Sequence, residues 1–155
     1  MLVIGLIIGG AMVFRAWQQA PSTPASSPAK VNYGSGITAV PAVGAVPALT
    51  ADQAETRAKD IDMPSELMPG TPTVVLRSVT IANGSKAPGA PAKKVDSALA
   101  WVLIYNDSVA DVHGPPSLTK ERREQIIKSS RCSFIVILDA NNGETLALNQ
   151  ECVPR

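Results

Sequence analysis

The chain predicts an α+β domain, a short helix packed on a curved antiparallel sheet of about four strands, preceded by an N-terminal membrane helix and a disordered linker. Three observations predict it. Residues 1–17 form an apolar run, residues 18–49 are rich in Pro, Ala and Ser, and only from residue 50 do a capped helical segment and several β-branched runs appear. The chain therefore divides into a membrane anchor or uncleaved signal segment at 1–17, a linker at 18–49 and an extracytoplasmic domain at 50–155.

A length of 155 residues argues for a single domain. The formal net charge of +1 provides no global basic field, which disfavours nucleic acid as an obligatory partner. One His and two Cys cannot complete a four-ligand zinc site without carboxylates, so neither a metal nor a cofactor is expected.

Leu2 to Phe14 carries no charge and is followed by Arg15 and Trp17. A helix crossing hydrocarbon needs about 20 apolar residues and tolerates about 17. Met1 to Trp17 reaches that minimum if Arg15 snorkels outward and Trp17 rests among the headgroups. Gly5 and Gly9 form a Gly-x-x-x-Gly pair through which two such helices could associate weakly. The alternative is the apolar core of a secretory signal, about 7–15 residues long, with the protein secreted after cleavage. Against it, no Lys or Arg precedes the run, and Gln18-Gln19-Ala20 lacks the small-residue cleavage pattern.

Pro21, Pro24, Pro28, Pro41 and Pro47 then punctuate a stretch whose one charge is Lys30. Proline removes backbone donors and small side chains offer little area to bury, so 18–49 reads as a tether. Thr50-Ala-Asp-Gln53 has the form of a capping box and opens a helix over 51–60, with Asp52 and Glu55 early and Arg57 and Lys59 late to suit its dipole. Pro64 stops it, and Met63–Pro69 reads as a turn or one helical turn leading into the sheet.

Thr73 to Ile81 is β-branched and ends at Asn83-Gly84. Ala98 to Tyr105 is apolar on both faces, the mark of an interior strand, and Leu99, Trp101, Leu103 and Tyr105 share one face that suits a covering helix. Pro116 to Lys128 reads as a helix within an insertion at 117–130, capped at Ser117 or Thr119, with thin apolar content that keeps it on the surface. Lys120, Arg122, Arg123, Lys128 and Arg131 form a basic patch that Glu121 and Glu124 partly neutralise. It is a solvated face with ordinary ion pairs, or a contact for anionic lipid, wall polymer or an acidic partner. His113 lies in an exposed loop, and Asp107 and Asp111 serve solubility.

Cys132 to Asp139 and Glu144 to Cys152 flank a turn with Gly143. A three-residue loop Asn141–Gly143 sets Leu138 opposite Leu146, Val136 opposite Leu148 and Cys132 opposite Cys152. The register that aligns the apolar side chains also brings the sulfurs together, which predicts a disulfide and an oxidising compartment.

The Thr50-Ala-Asp-Gln-Ala helix, the Ala100-Trp-Val-Leu-Ile-Tyr105 strand and the Phe134-Ile-Val-Ile-Leu-Asp-Ala-Asn-Asn-Gly-Glu-Thr-Leu146 hairpin resemble the PepSY domain. The resemblance covers Thr50 to Leu148 and is most specific from Val136 to Leu146. It implies a small cystatin-like α+β domain of the kind found in extracytoplasmic bacterial proteins and in inhibitory propeptides of thermolysin-type peptidases. The basic insertion at 117–130 and the terminal cysteine pair depart from that pattern.

The expected function is a non-catalytic, membrane-anchored interaction or regulatory domain outside the cytoplasm, with an unknown protein or peptide as partner. The rival is a small hydrolase or ligand-processing enzyme, for which the chain offers scattered Ser, Asp and Glu without a recognisable nucleophile elbow or metal-ligand spacing. No catalytic residue is assigned.

Overall fold

A computed structural model describes residues 30–85, 93–111 and 118–155. The order of elements is β1 (Val31–Asn32), β2 (Ile37–Pro41), α1 (Ala51–Lys59), β3 (Thr73–Ser85), β4 (Lys93–Ser108), α2 (Lys120–Ser129), β5 (Ser130–Asp139) and β6 (Thr145–Pro154). All six strands join one antiparallel sheet in sequence order. This replaces the expected helix on four strands with a curled half-barrel of six strands and two short helices. Among the described residues no helix is long and apolar enough to cross a membrane.

The extra strands come from the stretch read as tether. Asn32 accepts from the Gly34 N–H through Oδ1, the Tyr33 N–H donates to the Ile37 carbonyl, and the chain reverses through Gly34, Ser35 and Gly36, all at positive φ. Glycine suits position 36, where φ is 77° and a Cβ, 2.6 Å from the Asn83 amide, would require that side chain to move. Val31 then pairs with Ala39, and Ile37 to Pro41 pairs with Ile81 to Arg77. Low charge and many prolines hid a hairpin whose Tyr33, Ile37 and Ala39 are buried.

Curling follows from irregularities in the ladders. Ser97 and Asp107, each at positive φ, are extra residues in β4 opposite β3 and β5. Leu146 is an extra residue in β6 between the pairs Ile137–Ala147 and Leu138–Thr145. Such bulges increase local twist and bend a strand. The last one corrects the expected register near the turn. Val136 does face Leu148 and Cys132 faces Cys152, but Leu138 faces Thr145. The bulge turns Leu146 to the same cluster as Ala147, on the face away from Leu148.

Two apolar clusters result, one on each face. Inside the curl, Tyr33, Ile37 and Ala39 from the first strands meet Ile135, Ile137, Leu146 and Ala147 from the last, with Val79, Ile81 and Val102 between them. Residues from both ends of a six-stranded meander share one cluster only if the sheet bends round. On the outside, Ala54 and Ala58 of α1 pack over Leu103, Tyr105, Phe134, Val136 and Leu138. The helix starts as its sequence dictates: Thr50 Oγ1 accepts from the Gln53 N–H, and Gln53 Oε1 accepts from the Thr50 N–H. Trp101 shares this face and donates through Nε1 to the Leu49 carbonyl at 2.9 Å, fixing the chain where it enters α1.

Tyr105 lies beneath α1 with its hydroxyl buried and without a hydrogen-bond partner. Burial raises its pKa above the ordinary value near 10, and Glu55 adds to the rise. An unsatisfied buried hydroxyl costs about 1–3 kcal/mol in desolvation. Tyr105→Phe keeps the ring and removes that cost, so its urea midpoint should lie above that of the parent, by a stability gain of about 1 kcal/mol. An unchanged or lower midpoint would show that the hydroxyl is satisfied in solution.

Candidate functional site

The β5–β6 end of the sheet brings together most of the residues that the sequence singles out. α2 leads directly into β5 and is capped by Thr119, whose Oγ1 accepts from the Arg122 N–H. None of its ten residues is buried. Most helices of this length draw their stability from a packed face, whereas here Ile127 remains 36% exposed. Lys120, Arg122 and Lys128 are exposed and Arg123 is half-buried, as a surface helix was expected to be. Arg122 Nη1 donates to Gln125 Oε1 at 2.7 Å.

Arg131 lies one residue into β5 beyond α2, with Nε 3.9 Å from Asp107 Oδ1. Both side chains are largely exposed, so this pair adds little stability and leaves Arg131 available for exchange. Glu121, Glu124, Gln125, Lys128 and Ser129 line a shallow open depression of about 400 Å³ along one side of the helix. The basic residues therefore do not form one stripe. They are distributed around α2 with carboxylates among them.

Cys132 and Cys152 form a disulfide-capable pair, bonded in the structure, with Cα atoms 4.1 Å apart. Non-hydrogen-bonded antiparallel pairs approach to about 4.5 Å, and the pair at 132 and 152 belongs to that class. The flanking ladder agrees, because the Arg155 N–H donates to the Ser129 carbonyl at 2.8 Å, three residues from the bridge on each strand. The bond thus ties the exposed end of β6 to the junction between α2 and β5. Arg15, Trp17, Gly5, Gly9 and His113 lie outside the described residues.

A second polar group was not foreseen. Arg77 points into the curl, 4% exposed, from a β3 row whose other members Val75, Val79 and Ile81 are apolar. Its cross-strand neighbours are Pro41 and Ala100, small enough to leave room for a long side chain. Asn149 Nδ2 donates to the Tyr33 carbonyl, and Ser35 Oγ donates to Asn149 Oδ1 at 3.2 Å. Gly34 sits so close that a Cβ there would be 3.1 Å from Glu151 Oε1. Side chains therefore bridge the seam between the first hairpin and β6. Burial pushes the Tyr33 phenol above its ordinary value near 10, while the Arg77 charge pulls it down and Glu151 pushes it up. The sequence did carry one signal: an Arg in register with inward-facing β-branched residues.

No protein family, curated protein or solved structure matches this chain.

Proposed function

We propose that the protein is a non-catalytic interaction or regulatory domain, held at a membrane by residues 1–17 with its folded part outside the cytoplasm, which binds a protein or peptide through α2 and the adjoining end of β5 and β6. One observation carries this reading: a capped ten-residue helix stands at the end of the sheet with no side chain buried, displaying Ile127 among basic and acidic groups. A helix with only Arg123 and Ile126 half-buried draws little stability from packing, and its exposed face suits a surface shaped for contact. The Cys132–Cys152 pair supports an oxidising compartment, since such bonds persist mainly outside the cytoplasm.

The test uses the full chain in membranes of its native host. Crosslinking through a photoreactive residue at Ile127 should give one discrete, saturable adduct. The double variant Arg122→Glu, Lys128→Glu should reduce that adduct at least about tenfold, because charge reversal at a rim acts mainly on association. Its unfolding midpoint should stay within about 0.5 kcal/mol of the parent, as exposed sites allow. Undiminished crosslinking in the double variant would exclude α2 as the binding surface. Turnover of a substrate by the purified chain would overturn the non-catalytic reading.

A further inference from the structure

We infer that the loop at residues 42–48 dips into the surface of the lipid bilayer and seats the domain on the membrane that anchors it. From Gly36 to Leu49 the chain has no charged residue. Within the loop, Ala42, Val43, Gly44, Ala45, Val46, Pro47 and Ala48 are all small or apolar. Val43 is 91% exposed and Val46 86% exposed. Scattered exposed apolar residues need no explanation. Here, however, no polar side chain separates the two valines, and the nearby Val40 is exposed as well.

The loop is held out as a defined projection. At one end Pro41 is in register with Arg77; at the other, the Leu49 N–H donates to the Ala140 carbonyl and the Leu49 carbonyl accepts from Trp101 Nε1, both at 2.9 Å. Gly44 lies at the tip with φ of 70°, and a Cβ built there would meet nothing within 4 Å. An apolar tip fixed at both roots resembles a foot more than a slack connector.

Chain length limits how far the foot can stand from the bilayer. Because β1 begins at Val31, no more than residues 18–29 separate Trp17 from the described fold, against the expected linker of 18–49. Twelve residues span at most about 40 Å even when fully extended. A folded unit of the size of residues 30–155 is about 36 Å across. The spacer is thus no longer than about the width of the domain, which keeps the domain within about that distance of the bilayer. The face carrying an uncharged, exposed valine loop is the one that gains by contact, since apolar side chains partition into the interfacial layer while charged ones do not. This inference rests on the proposed anchor at residues 1–17.

The experiment uses the full chain reconstituted into vesicles of phosphatidylcholine and phosphatidylglycerol, with an environment-sensitive nitrobenzoxadiazole label on Val43→Cys; Cys132 and Cys152, being paired, do not compete for it. Flotation with the vesicles tests the anchor. Quenching of the label by lipids bearing bromine on their acyl chains tests the loop. We expect the chain to float, the label at 43 to brighten severalfold and be quenched, and the same label on Lys94→Cys to stay dim and unquenched. Adding Val46→Asp should remove most of the quenching at 43. A chain that floats but whose label at 43 is quenched no more than at 94 would overturn the loop assignment and leave the anchor standing. That result would point instead to an apolar pocket on a partner protein. A chain that fails to float would overturn the anchor and the loop together.

Discussion

Tyr33→Ala is expected to destabilise the protein by about 3–5 kcal/mol, the usual cost of deleting a buried aromatic side chain. Tyr33 is 5% exposed and belongs to the cluster inside the curl, with Ile37, Val79 and Ile135. The residue also carries the carbonyl that Asn149 grips from β6, so its loss opens the seam as well as the core. A drop in the thermal midpoint of about 10 °C or more should follow. The result separates two descriptions of the chain. If residues 30–49 were only a tether, truncating Tyr33 would change nothing.

Tyr33→Phe supplies the companion measurement. The folded-state pKa of Tyr33 is raised above the unfolded value near 10. Its contribution is therefore complete below pH of about 10 and is lost as pH rises through the folded value, where the phenolate must form beside Glu151 in a desolvated site. The parent should lose stability in that alkaline window, and Tyr33→Phe should lose less. Identical alkaline profiles would place the phenol in water.

Much of the fold was legible because local chemistry decided it. Thr50 and Gln53 start α1 wherever that segment lies, and the period-two pattern from Trp101 to Tyr105 requires a cover that α1 provides. The turn before Gly143 and the facing cysteines likewise depend on neighbours in sequence. What stayed hidden depends on distant partners. Val31-Asn-Tyr-Gly-Ser-Gly-Ile37 has hairpin chemistry, but so few residues gain nothing by pairing until β3 lies beside them and Tyr33 finds the core. The Leu146 bulge is equally invisible, because a straight count from the turn gives a chemically sensible Leu138–Leu146 pair. At the candidate site the basic residues of α2 were evident, while the absence of any fully buried residue in the helix was not: its thin apolar content fits a more deeply packed helix equally well.

Reduction of the Cys132–Cys152 bond should cost about 3 kcal/mol at most, from the entropy of closing a loop with a sequence separation of 20. The value falls below that ceiling to the extent that the β5–β6 hairpin persists in the unfolded chain, since residual structure already holds the ends near each other. Cys152→Ser is the cleaner variant. Cys152 is exposed, so the new hydroxyl meets water, and Cys132 keeps its buried packing. The urea midpoint of the parent should drop on adding reductant to that of Cys152→Ser, and reductant should not move the variant. Location sharpens the expectation further. Residues 151–155 are all exposed and bury almost nothing, so beyond the bridge only the pairs Arg131–Val153 and Ser130–Pro154 and the Arg155–Ser129 bond keep β6 beside the α2 junction. Without the bridge these should fray first, and amide exchange should accelerate at Ser130 to Cys132 while Ile135 to Leu138, held between β4 and β6 in both apolar clusters, remain protected. Uniform acceleration along β5 would mean that the bond stabilises the whole domain by constraining its unfolded chain; acceleration confined to the junction would mean that it holds the base of α2 in place, which is the role the proposed binding surface requires.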